Sequence, residues 1–144
     1  KHDVAITECF LEKRVLESML GYLEPARRSA KPVKVQVMQT LSIFFQNLED
    51  ETTIYTMLSN NHINELIMHR FDFHDEELMA YYISLLKALS LRINASTVHF
   101  FFNPDKVPEF PLLTEALRFF HHEEHMVRVA VRTLTLSIFK VQDE

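Results

Sequence analysis

The stretch "EELMAYYISLLKALSLRI", residues 76–93, contains neither Gly nor Pro, and its apolar residues recur at helical spacing on two sides. Leu78, Tyr82, Leu85 and Leu89 form one side; Met79, Ile83 and Leu86 form the other. A helix apolar on both flanks belongs between neighbours, so this one is expected in the middle of a helical stack. Asp75 stands at the N-cap position, and Asp75, Glu76 and Glu77 favour the N-terminal end of the helix dipole.

Two further segments carry the same pattern. "VKVQVMQTLSIFFQNL" (33–48) follows Pro32, a residue suited to a first helical turn, and "EHMVRVAVRTLTLSIFKV" (124–141) again follows acids. With Gln39, Ile83 and Arg132 in one column, the spacings are 44 and 49 residues. The neighbouring columns then read Thr40/Ser84/Thr133, Leu41/Leu85/Leu134 and Phe45/Leu89/Ile138. A repeat near this length marks armadillo or HEAT units, which stack because one unit cannot bury its own apolar face. Shorter helices are expected at about 4–23, 52–59, 62–69, 95–102 and 110–121. The expected fold is therefore all-α: an armadillo/HEAT-like α-solenoid of about three stacked units in a single domain, 1–144. The abrupt ends read as a slice of a longer chain, whose last helix exposes the face for a following unit.

Composition narrows the function. Gly21 is the only glycine, which removes the glycine-rich phosphate loops of Rossmann and Walker nucleotide enzymes and the Gly-x-Ser-x-Gly elbow. A net charge of −5 argues against nucleic acid, whose binders carry a basic stripe. The basic cluster Arg27, Arg28, Lys31 and Lys34 is short; it reads as a solvated loop entering a helix, with an acidic partner or lipid headgroup as the functional alternative. Cys9 stands alone, so no intrachain disulfide forms, and the sequon at Asn94 reads as a chance match. No apolar run reaches the length of a membrane span.

Two windows invite a metal reading. "HHEEH" (121–125) fails the His-Glu-x-x-His motif in both registers: residue 122 is His, and the residue four beyond His122 is Met126. It reads instead as a polar corner between helices. "MHRFDFHDEE" (68–77) is a similar junction, where Phe71 and Phe73 are expected to plug gaps between units while His69, Asp72, His74 and Asp75 face water. A metal-dependent hydrolase needs these two windows to converge. Adjacent acids such as Glu123 and Glu124 point about 100° apart on a helix, a poor geometry for acid–base pairing.

The runs 37–60, 71–94 and 109–141 resemble the FPL-domain family, named for the Phe-Pro-Leu at Phe110–Leu112. The resemblance extends from "FLEKRVLE" (10–17) to Val141. It implies the N-terminal region of a large cytosolic protein, peripherally associated with endosomal, Golgi or autophagic membranes. The implied role lies in endosomal maturation, autophagy including mitophagy, and transport to vacuole or lysosome. It supplies no catalytic residue, cofactor or metal.

The expectation is a non-enzymatic scaffold whose partners are trafficking proteins, either tethering factors or small GTPases. A regulator of a small GTPase is the nearest alternative. For the recognition edge, Arg128 and Arg132 lie one turn apart and could pair with an acidic partner. Phe110, Pro111 and Leu112 come second. The alternatives are salt bridges from the arginines to acids at 123–124 or 75–77, and docking of the Phe-Pro-Leu triplet on its own helix pair.

Overall fold

The structure, a computed structural model, describes residues 5, 8–10, 14–23 and 31–141. From Val15 onward the elements are α1 (Val15–Leu23), α2 (Lys31–Asn47), α3 (Glu51–Ser59), α4 (His62–Met68), α5 (Glu76–Ser90), a 3₁₀ turn (Val98–Phe101), α6 (Pro111–Arg118) and α7 (His125–Phe139). Among the described residues there is no strand. Pro32 lies in the first turn of α2, and the Asp75 carboxylate accepts from the Leu78 amide at 3.3 Å, both as the sequence leads one to expect.

Three expected helices need correction. The segment 95–102 forms only the 3₁₀ turn, closed by bonds three residues apart from the Phe100 and Phe102 amides to the Thr97 and His99 carbonyls and followed by Pro104, which cannot continue a helix. Asn94 Oδ1 accepts from the Ser96 and Thr97 amides at 2.8 and 3.1 Å, and Thr97 Oγ1 donates to the Arg92 carbonyl at 2.7 Å. The segment 110–121 is helical only over Pro111–Arg118. The helix expected over 4–23 is interrupted at Arg14, whose φ of 49° is left-handed; residues 4, 6, 7 and 11–13 lie outside the described residues, as do Arg27 and Arg28.

Helix α5 packs against α2 and against α7, so it is the middle of the three long helices. Nine of its fifteen residues are buried, including Leu78, Tyr82, Leu85 and Leu89 from one side and Met79, Ile83 and Leu86 from the other. The leucine column of the repeat is also a burial column: Leu41, Leu85 and Leu134 are at most 1% exposed. Phe45, Leu89 and Ile138 are buried one turn on. In the small-hydroxyl column, Thr40 and Thr133 donate to the carbonyls of Gln36 and Val129, one turn back on their own helices.

The shorter helices are tied to this row by specific bonds. Tyr82 donates its hydroxyl hydrogen to the Ile67 carbonyl at 2.7 Å, joining α5 to the end of α4. Burial, with a smaller contribution from Glu115, holds this phenol well above its ordinary pKa. Asn64 of α4 donates to the Phe100 carbonyl at 2.8 Å. Helix α4 also packs on α6, and α6 on α5 and α7. Phe71 and Phe73 fill the junction as expected: the Phe73 ring lies 4.9 Å from Tyr82 and, edge-on, 5.1 Å from Phe119, while Phe71 lies 5.5 Å from Tyr82.

Candidate functional site

The edge of the molecule formed by α7 and the turn before it holds most of the residues singled out in the sequence. The turn 119–124 separates α6 from α7, so the His/Glu window is the corner between two helices. His122 is tied into it, its Nδ1 accepting from the Glu124 amide at 3.1 Å. His121 and His125 are exposed. Among the described residues, no three His, Cys, Asp or Glu side chains are grouped as a metal ion requires.

Arg128 is bound into this corner. Its guanidinium donates to the His122 and Glu123 carbonyls, both at 2.6 Å. Its partners are thus backbone oxygens, which a helix-to-helix corner leaves without intrahelical partners, and not the nearby carboxylates. Arg132, one turn on, is exposed and lies over the Phe120 ring, 5.9 Å from its centroid. The two arginines are therefore unequal: Arg128 braces the turn, whereas Arg132 presents its charge to solvent.

The Phe-Pro-Leu triplet divides as well. Pro111 opens α6 at a position where the missing amide hydrogen costs nothing, and its side chain is buried. Leu112 has no accessible surface. Phe110 is half-buried and stacks on Phe102 at 4.6 Å and 21°. Phe102 is itself 47% exposed. The loop between these rings is pinched shut by the Asn103 amide donating to the Glu109 carbonyl at 2.7 Å, which leaves Val107 exposed. Pro111 and Leu112 are thus buried in the first turn of α6, and of the triplet and its stacking partner only Phe110 and Phe102 have surface to offer.

Beside Arg132 lies an exposed apolar face, expected of the last helix although its residues are not singled out in the sequence. Met126, Val129, Leu136 and Phe139 are 70%, 41%, 62% and 72% exposed, whereas Val127, Val131, Leu134 and Ile138 of the same helix are buried. Met126, Val129 and Leu136 fall at i, i+3 and i+10, one face of a helix, with Phe139 a turn beyond Leu136. The repeat columns contained the signal. In α5 the positions equivalent to Met126 and Leu136 are Glu77 and Lys87, both exposed, so apolar side chains on α7 replace charged ones at solvent positions. The inward columns differ too: Val35 and Ser42 of α2 and Met79 and Leu86 of α5 are buried, while the matching Arg128 and Thr135 of α7 are only half-buried.

No solved structure matches this chain. Among sequences, it is 50% identical over 141 residues to Protein CLEC16A of Homo sapiens, covering 98% of this chain and 13% of that protein. It is 48% identical over 143 residues to the Protein CLEC16A homolog of Drosophila melanogaster, covering 99% and 13%. It is 42% identical over 146 residues to Protein TRANSPARENT TESTA 9 of Arabidopsis thaliana, covering 100% and 17%. The chain thus spans less than a fifth of the length of these relatives. A family model named FPL, described as an uncharacterised conserved protein, matches residues 1–139. On that match and these identities, the chain belongs to the FPL family.

Proposed function

We propose that this chain is a protein-interaction scaffold without catalysis of its own, built as armadillo-type stacked helices and serving membrane trafficking. One observation carries the interaction reading: α7 holds Met126, Val129, Leu136 and Phe139 open to solvent around the exposed Arg132. Exposed apolar side chains grouped beside a charge mark a binding surface far more than scattered ones do. The armadillo reading rests on the coincidence of repeat columns with burial in α2, α5 and α7. The trafficking role, in endosomal maturation, autophagy and transport to vacuole or lysosome, rests on membership of the FPL family. With it goes a cytosolic placement at the surface of endosomal, Golgi or autophagic membranes; among the described residues no helix is long and apolar enough to cross one. The partners on this reading are tethering factors or small GTPases, recognised through the apolar face and Arg132.

The test is retention of purified tethering factors and of small GTPases on the immobilised chain, compared with a Leu136→Glu/Phe139→Glu variant of unchanged helical CD. Retention by the parent chain and loss by the variant are expected. Equal retention by both overturns α7 as the recognition face. Retention of a GTPase in one nucleotide state only identifies a regulator or effector; retention in both states identifies a scaffold.

A further inference from the structure

A cleft of about 340 Å³ opens beside the N-terminus of α5, between the first turn of α2 and the junction that follows α4. Lys31 and Lys34, one turn apart on α2, and Arg70 from the junction line it, together with His74, Asp72 and Asp75. In a chain of net charge −5, three cations from two elements facing one concavity are an exception that demands a cause.

The two carboxylates already have local tasks. Asp75, its side chain only 8% exposed, caps α5 through Oδ1, and its Oδ2 lies 3.0 Å from Lys31 Nζ, an ion pair not aligned as a hydrogen bond. This ion pair and the cap hold Asp75 below the ordinary carboxylate range. Asp72 accepts from the His74 amide at 3.1 Å, closing the junction turn. Among the described residues, Lys34 and Arg70 have no ion-pair partner. The field of Lys34 is felt nearby: burial first, and then this ammonium, hold the His69 imidazole below its usual pKa.

We propose that this cleft binds a phosphate monoester, with Lys34 and Arg70 as its principal ligands and Lys31 as the bridge to Asp75. Three cations arriving from separate backbone positions match a doubly charged, three-oxygen group better than a planar carboxylate, and the fork of Arg70 is suited to two of those oxygens. The cleft is larger than a phosphate, which leaves room for the group that carries it. The same chemistry is offered by a phosphoinositide headgroup in a membrane and by a soluble inositol phosphate. The site is separate from the α7 edge, so neither proposal depends on the other.

Two probes separate the sources: vesicles of phosphatidylcholine containing phosphatidylinositol 4-phosphate, read by co-sedimentation, and soluble inositol 1,4-bisphosphate, read by calorimetry. Vesicles with phosphatidylserine at matched charge serve as the comparison. Binding to either phosphate monoester that falls about tenfold in Lys34→Glu/Arg70→Glu, and not in Arg132→Glu, is expected. The milder Lys34→Ala/Arg70→Ala pair should show the same loss if the charge-reversed chain misfolds, as judged by CD. Vesicle binding displaced by the soluble probe places the ligand in a membrane; binding of the soluble probe alone places it in solution. Failure of both probes, equal binding by the folded variants, or equal binding to phosphatidylserine overturns the proposal.

Discussion

The guanidinium of Arg92 donates to the Gln46 carbonyl at 3.0 Å, across forty-six residues of sequence. A second, longer contact at 3.4 Å reaches the Phe45 carbonyl. Arg92 follows α5 and closes the open end of α2, so a single side chain fixes how the two long helices end together.

Replacing Arg92 with Ala should therefore lower stability by about 1.5–3 kcal/mol, the range for hydrogen bonds made by a charged group. Arg92→Lys should recover only part of this, because a single ammonium cannot reproduce the planar fork. Urea unfolding midpoints at constant slope provide the measurement.

Tyr82→Phe removes the donor to the Ile67 carbonyl and should cost about 1–2 kcal/mol at neutral pH. The same residue predicts an alkaline limit. Its folded pKa is raised by burial, so the unfolded chain ionises first, near pH ~10. The stability associated with the neutral phenol is full below that pH and declines as pH rises from there toward the folded pKa. Stability measured between pH 9 and 11 should fall more steeply in the parent chain than in Tyr82→Phe.

The leucine column offers a graded comparison. Leu85→Ala, in the helix with long neighbours on both sides, should cost about 3–5 kcal/mol, and Leu134→Ala on α7 about 2–3 kcal/mol. Equal costs would show that α7 is held as tightly as α5. Thermal or urea unfolding of the two single variants decides this.

The two arginines of α7 should separate by assay. Arg128→Ala leaves the His122 and Glu123 carbonyls without their donor and should destabilise by about 1–3 kcal/mol. Arg132→Ala gives up only an exposed contact with Phe120 and should change stability by about 1 kcal/mol or less. If Arg132→Ala still weakens partner retention, its role lies in recognition.

Helix content, the central place of α5 and the alignment of buried leucines were legible in sequence because 3.6-residue periodicity and the scarcity of glycine act locally. The same local reasoning failed at 95–102. There, a short stretch between the turn capped by Asn94 and Pro104 closes bonds three residues apart, an effect that apolar spacing does not register. It also failed to separate Arg128 from Arg132, since identical side chains one turn apart differ only in what the preceding corner offers them.

What the sequence determined alone was therefore an all-helical, repeat-patterned chain without glycine-rich phosphate loops, and its place in the FPL family by long matching runs. The tertiary structure decided which residues remain available. Burial of Pro111 and Leu112, exposure of Leu136 and Phe139, and the placing of Lys34 and Arg70 on one cleft all depend on neighbours distant in sequence. Periodicity specifies which face of a helix is apolar, but only packing determines whether another element covers that face.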